Sequence, residues 1–425
     1  MQKTLQGVTM LTQTQGSKIM QQFTSGRQAM SYFPKLYGKK TFRQLIRYEE
    51  LVRHFKKKYK SRYCYLASSS GRVELIGNHT DHNGGKVVGC TVDLDIVAAF
   101  LPNDKGLVQI SGNNYRDIVF NVADVEKVEG GSVGMVKGVL AGLKKRGKKI
   151  GGFYACLNSC LPSGAGISSS AAFQLLAATI VNNLYNNGEI DARTLAEVGQ
   201  FAENVYFNKP CGLLDQGVIA VGGIVEINFK NGFEFQRLAN DLNGVNLVVV
   251  DTGKSHSSLT DCYAAIPAEM KQVANYFGKQ RLADVDEVEF FKRYKEVQRT
   301  VGNRPALRAK HFFEENRLVD EVAQALKNGD VPKLFSAVSQ SGNSSIWQLQ
   351  NCNVGEDRTV ADAVLFAREI CPGCASRVHG GGFAGTVLAL VVNRDLHGFT
   401  SEMGKKYGEK SVHVLKVRQV GATVL

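Results

Sequence analysis

The segment LPSGAGISSSAA, Leu161 to Ala172, sets Ser163, Gly164, Ala165, Gly166 and Ile167 ahead of Ser168, Ser169 and Ser170. An apolar run with helical spacing follows at once, AAFQLLAATIVNNLY from Ala171 to Tyr185. Small residues let a backbone approach a ligand closely, and a helix start offers unpaired N–H groups and the positive end of its dipole. The chemistry this serves is anion binding, and the usual biological anion there is phosphate. Capping of the helix by a serine hydroxyl is the plainer use of the same residues. It is not a Walker loop. DTGKS (Asp251–Ser255) imitates the end of one, but Val248 stands where that motif needs its first glycine.

Two other segments carry unusual patterns. GRVELIGNHTDHNGG (Gly71–Gly85) is a strand candidate running into a polar turn, and RVHGGGFAGTVLALV (Arg377–Val391) is a triple-glycine turn running into an apolar strand. His79 and His82 flank Asp81, a spacing that suggests a metal, yet no companion cluster at ligand spacing accompanies them. Cys371-Pro-Gly-Cys374 has redox spacing but does not open a βαβ unit, so it reads as two ordinary cysteines.

The elements that must position these segments follow from periodicity. Arg43 to Tyr59 predicts an amphipathic helix, Lys86 to Pro102 a β-rich stretch, Met135 to Gly147 a helix and Phe153 to Leu161 a strand. Asp191 to Phe207 predicts a helix with Asp191 as its N-cap. From about Ser257 to Glu369 the pattern is helical, broken at GNRPALR, and the chain closes strand–helix–strand. Residues 1–40 read as polar and irregular. A β-rich first half and a helix-rich second half predict an α+β protein of two domains, 1–240 and 241–425, with the site between them.

Composition sets the bounds. The chain has 425 residues, 44% hydrophobic and 21% charged, an ordinary globular balance. It contains no run of apolar residues long enough for a membrane span, and its first residues lack the apolar block of a signal peptide. Nine cysteines without framework spacing suit a reducing compartment, so a cytoplasmic location is expected. The formal charge of +13, concentrated in HFKKKYKSR and KKRGKK, is a weak pointer to nucleic acid in a chain without zinc-finger or RNP-type patterns. Solvated helix ends and an anionic small-molecule substrate account for it. Oligomeric state is not legible, and a monomer is compatible with the sequence.

Together the three glycine-rich segments fall in the order and spacing of the signature segments of the GHMP small-molecule kinases. The first closely resembles the galactokinase signature, usually GRVNLIGEHTDYNGG. VKGV (Val136–Val139), AEN (Ala202–Asn204), PCGLLDQ (Pro210–Gln216) and DTGKSHSSLTDCY (Asp251–Tyr263) match between them. The resemblance covers the chain from about residue 45 onward. It implies a GHMP two-domain architecture, a β-rich N-terminal domain and a helix-rich C-terminal α/β domain. It also implies transfer of a phosphoryl group from ATP to the anomeric hydroxyl of a sugar, with Mg²⁺ as cofactor.

Roles follow residue by residue from the same resemblance. Pro162 to Ser170 would wrap the ATP phosphates, and Ser170 with Glu203 would hold Mg²⁺. Asp215 would be the catalytic base, and Arg72 would face it across the sugar hydroxyl, stabilising developing alkoxide. Asn78, His79, Asp81, Gly212 and Tyr263 would line the sugar pocket. Departures from the family pattern bear on the acceptor: Asn78 replaces the signature glutamate, His82 its tyrosine, Ser132 an aromatic residue, and His379 the threonine before the glycine turn. The segment Ser339–Asn351 replaces a serine–histidine stretch. Galactose is the first acceptor to test, with an amino sugar, uronic acid, pentose or other hexose as the alternative. A catalytically silent sugar and ATP sensor is the reading from another class.

Overall fold

A computed structural model describes residues 20–38, 41–112, 115–162, 166–208, 211–239, 242, 244–253, 259–383 and 385–425. Ser163, Gly164 and Ala165 of the serine loop lie outside the described residues, as do residues 1–19.

The first sheet is built on a long antiparallel pair, β1 (Tyr65–Ile76) and β2 (Lys86–Asn103), joined by the polar turn. β3 (Leu107–Gly112) pairs with β4 (Tyr115–Asn121) and lies parallel to β5 (Gly152–Ser159). The length of β2 lets it pair twice, with β5 along Ile96–Asn103 and with β6 (Ile224–Asn228) along Lys86–Cys90; β7 (Glu234–Ala239) extends β6. The second sheet is antiparallel. It holds β8 (Val245–Asp251), β9 (Ala375–Val378), β10 (Thr386–Val392) and β11 (Val412–Leu415) in the order β11-β8-β10-β9. The last strand, β12 (Thr423–Val424), crosses back to pair with β1.

Strand alternation separates the faces of each sheet. In β2, Val97 and Ala99 bury against α1 (Phe33–Tyr37) and α2 (Phe42–Tyr59), whereas Ala98 and Phe100 join the core beneath α3 (Gly131–Lys145) and α4 (Ser169–Tyr185). α5 (Ala192–Phe201) and α6 (Leu214–Val221) complete that layer. α7 (Thr260–Tyr276), α8 (Glu287–Lys292), α9 (Tyr294–Thr300) and α10 (Asn303–Asn328) share a second core. In β8, Leu247 and Val249 face α10 and α11 (Val331–Ser344), while Val248 and Val250 face α12 (Thr359–Ile370) and α13 (Leu396–Tyr407). The fold is thus mixed α+β, as the sequence predicts. Among the described residues no helix is long and apolar enough to cross a membrane.

Several elements match their sequence expectation closely. Arg43–Tyr59 lies within α2, and Asp191 caps α5 by accepting the Thr194 N–H at 2.8 Å. The break in GNRPALR falls at Gly302, whose φ of 119° only glycine adopts readily, and Pro305 then sits in the first turn of α10. Residues 20–38 correct the expectation of an irregular N-terminal segment. Gly26–Tyr32 is a 3₁₀ helix leading into α1, and Phe23, Phe33 and Tyr37 are buried. The anchor is Asp95 of β2, fully buried, which accepts from Tyr37 and Ser68 and pairs with Arg47 at 2.6 Å and Arg418 at 3.2 Å. That knot ties the N-terminal helices and the C-terminal tail to one strand.

Candidate active site

The serine loop meets the first signature at a bulge in β1. The β1–β2 register shifts between Ser70 and Arg72, which re-aims the side chain that follows the bulge. A Cβ on Gly71 would press on the Ile167 carbonyl, and that carbonyl accepts the Arg72 N–H at 3.2 Å. Arg72 Nη1 donates to the Gly166 carbonyl at 2.6 Å, while Nε and Nη2 both reach Asp215 Oδ1 at 2.7 Å. Asp215 Oδ2 accepts the Ser168 hydroxyl. The sequence thus anticipates the Arg72–Asp215 pairing, and the structure brings both to the tip of α4. Asp215 lies in the first turn of α6, where the helix dipole favours its negative charge.

Ser168 occupies the N-cap position of α4 with φ 56° and ψ 55°, a left-handed conformation that costs a non-glycine residue energy. Its hydroxyl does not cap the helix. Ser168 therefore does not serve as the helix cap: its side chain turns to Asp215 instead. Gly166, at φ 67°, sits against Thr386 and His379, so the loop rests on the start of β10. Pro162 is half-buried, Ile167 packs into the core, and Ser169 is exposed on the first turn.

Glu203 lies beside this tip, on a π-helical turn, Ala202–Tyr206, that interrupts the end of α5. Such bulges displace a side chain from the regular helical path and often mark functional sites. Ser170 Oγ lies 3.3 Å from Glu203 Oε1, and Gln174 and Gln216 amides donate to Oε2 at 3.2 and 3.0 Å. Gln216 Oε1 is buried with no hydrogen-bond partner among the described residues. This set of hard oxygens suits a magnesium ion that keeps waters and shares phosphate oxygens. Gln174, four residues after Ser170 on the same helical face, could have been found from that spacing.

The polar turn brings Asp81 and Gly212 together. A Cβ on Gly212 would overlap the Asp81 carboxylate, so only glycine fits. Asp81 accepts the Leu214 N–H at 3.3 Å and the His82 N–H at 2.9 Å, and burial raises its carboxyl pKa. His79 Nε2–H donates to the Gly381 carbonyl at 2.9 Å, leaving Nδ1 to face His82 Nε2 at 3.3 Å. Asn83 donates to His82 Nδ1 at 3.0 Å. Burial pushes His82 down to about 3 and lowers His79, so both are neutral near pH 7. Among the described residues no group of three or more histidine, cysteine or carboxylate side chains is arranged around a metal position.

Two residues expected in the sugar pocket have other partners. Asn78 is 1% exposed; its amide donates to Glu74 Oε1 at 2.9 Å and the Gly380 carbonyl at 2.7 Å, and accepts from Asn351 at 2.7 Å. Tyr263 donates its hydroxyl to the Gly382 carbonyl at 2.8 Å and packs edge-on against Phe383. Glu74, missed in the sequence, pairs with fully buried Arg377 at 2.8 Å. His379, a departure from the family pattern, accepts the Glu74 N–H at 3.2 Å through Nε2. Arg377 also donates to the Leu75 carbonyl at 3.1 Å, so hydrogen bonds at Arg377, His379, Gly380 and Gly381 tie the glycine turn to the first signature.

Comparison with known proteins fits this geometry. Residues 53–102 match the galactokinase galactose-binding signature, and residues 134–223 match the GHMP kinase N-terminal domain. The chain thus resembles the galactokinases of the GHMP kinase group in both segments. It is 28% identical over 359 residues to a galactokinase of Limosilactobacillus reuteri, covering 80% of this chain and 89% of that protein. It is 29% identical over 372 residues to a galactokinase of Lactobacillus helveticus, covering 84% and 94%. In three dimensions it resembles Lactococcus lactis galactokinase solved with galactose, with a TM-score of 0.77 and 23% identity over 94% of this chain and 99% of that one. Methanococcus jannaschii mevalonate kinase aligns with a TM-score of 0.59 at 16% identity, over 84% and 99%. The fold is common to both, and residues 53–102 carry the signature named for galactokinases.

Proposed function

We propose that the chain transfers the γ-phosphoryl group of ATP to the anomeric hydroxyl of galactose, giving the sugar 1-phosphate and ADP. One observation carries the reading: Arg72, Asp215 and Ser168 converge at a helix tip, with the Ser168 hydroxyl turned to Asp215 instead of capping the helix. The first turn of α4 and the loop before it hold the triphosphate, and Asp215 accepts the proton of the attacking hydroxyl. That oxygen bonds to the γ-phosphorus as the bond to the β-phosphate oxygen breaks, and ADP leaves. Arg72 holds Asp215 in place and offsets charge on the attacking oxygen. Ser170 and Glu203 would hold Mg²⁺, which would neutralise phosphate charge. Asp81, His79 and backbone at Gly212 receive the sugar, with Asn78 and Tyr263 shaping the pocket from behind.

All nine cysteines are free thiols, which suits a cytoplasmic enzyme. The test is purified protein with ATP, Mg²⁺ and a panel of monosaccharides, followed by ADP release. Release with galactose supports the reading. Release only with another sugar changes the acceptor, and sugar-dependent thermal stabilisation without ADP would mean a sensor.

A further inference from the structure

The sugar-binding turn is held at both ends by one helix from a distant part of the chain. Glu315 Oε1, on α10, accepts the N–H groups of Gly77 at 2.9 Å and Asn78 at 3.1 Å, together with the Ser341 hydroxyl at 2.7 Å. One turn earlier on the same face, His311 Nε2–H donates to the Asn78 carbonyl at 2.9 Å. Asn316 Oδ1 accepts the Lys86 N–H at 2.7 Å, at the far end of the turn, and a Cβ on Gly85 would press on Asn316 and Phe312. His311 and Glu315 are both fully buried.

A buried carboxylate needs a reason. Burial works against the charge of Glu315, yet His311 and Arg377 beside it, with the Ser341 hydroxyl and the Gly77 N–H, hold its carboxyl below the usual range. Glu315 Oε2 has no hydrogen-bond partner among the described residues, so the two backbone N–H groups and the Ser341 hydroxyl all converge on a single oxygen. An apolar side chain would fill the space without fixing where Gly77 and Asn78 stand. A carboxylate fixes two consecutive N–H groups, which sets the direction in which the turn carries His79 toward Gly381 and Asp81 toward Gly212.

We infer that Glu315, His311 and Asn316 are positioning residues for sugar binding, seating the Gly77–Lys86 turn on α10 so that its side chains meet the acceptor. The inference rests on the sugar-kinase reading above. None of the three is bonded to the serine loop or to Glu203 in the contacts described. Loss of the seat therefore weakens the acceptor site and leaves the nucleotide site in place.

The experiment measures kcat and both KM values for the wild-type protein and for Glu315→Ala, Glu315→Gln and Asn316→Ala, with galactose and ATP varied in turn. Expected for Glu315→Ala is a galactose KM raised about tenfold, a loss of about 1.4 kcal/mol in binding, with the ATP KM within about twofold. Glu315→Gln keeps an acceptor oxygen and recovers most of the difference. Asn316→Ala raises the galactose KM in the same selective way, and it decides the matter if Glu315→Ala does not fold. An unchanged galactose KM in Asn316→Ala, or equal rises in both KM values, overturns the inference. A wild-type protein that phosphorylates no sugar refutes the underlying reading instead, and does so before any variant is made.

Discussion

Arg72 grips Asp215 and the serine loop at once. Two of its nitrogens converge on Asp215 Oδ1 at 2.7 Å and the third holds the Gly166 carbonyl at 2.6 Å. Asp215 and the serine loop therefore share one cation. Asp215→Ala is expected to lower kcat by about 10²- to 10⁴-fold, with ATP binding retained by calorimetry. Near-normal turnover would remove Asp215 from the chemistry.

Glu203 is 3% exposed and held by two carboxamides beside Ser170. Glu203→Gln removes the charge and keeps the shape. The Mg²⁺ concentration needed for half-maximal rate should rise about tenfold or more, read from rate against free Mg²⁺ at saturating galactose. A tenfold rise in galactose KM with no change in Mg²⁺ dependence would place Glu203 elsewhere.

The exchange of Asn and Glu between the usual signature and GRVELIGN has a packing consequence. Asn78 donates to Glu74 at 2.9 Å, so Asn78→Glu would set two carboxylates against each other in a buried site. The single variant should melt lower and lose galactose kcat/KM rather than gain it. The double exchange Glu74→Asn with Asn78→Glu leaves one carboxylate for Arg377 and should recover most of the lost stability. Thermal melts of the three proteins check this, and failure of the pair to recover contradicts it.

Gly212 packs where any side chain would strike the Asp81 carboxylate. Gly212→Ala is expected to lower kcat/KM for galactose by 10²-fold or about that, with the ATP KM little changed. Steady-state kinetics with each substrate varied gives the answer.

The Asp95 knot makes acid stability predictable. Burial alone would raise the Asp95 carboxyl, but Arg47, Arg418, Ser68 and Tyr37 outweigh it and hold it below its ordinary value. The folded pKa is thus below the unfolded one of about 3.9. The stabilisation is complete above that value and is lost as pH falls through it toward the folded pKa. Asp95→Ala leaves two buried guanidinium groups without their partner and should cost about 3–5 kcal/mol, by urea denaturation at pH 7. A cost under 1 kcal/mol would mean the knot is not what fixes the N-terminal helices.

Much of this was legible from local pattern. The amphipathic period of α2, the Asp191 cap and the glycine break at Gly302 are set by neighbours a few residues away, and sequence shows those directly. The Arg72–Asp215 pairing was legible only through the resemblance of GRVELIGN and GLLDQ to family segments, because the two residues are 143 positions apart. The docking of residues 20–38 was not, because Tyr37 is held by Asp95, 58 residues later. Nor was the seat on α10. His311 and Glu315 look like charges on a solvated helix face, and hydrophobic periodicity carries no signal for polar groups buried against another segment's backbone.

Phosphorus NMR of the product mixture tests the central claim most directly, with wild-type protein and Asp215→Ala compared at equal ATP, Mg²⁺ and galactose. The wild type should convert ATP to ADP in step with a new phosphate resonance coupled to the anomeric proton of galactose, and the variant should give almost none. Equal conversion by both proteins, or phosphate on any other hydroxyl, would contradict the account.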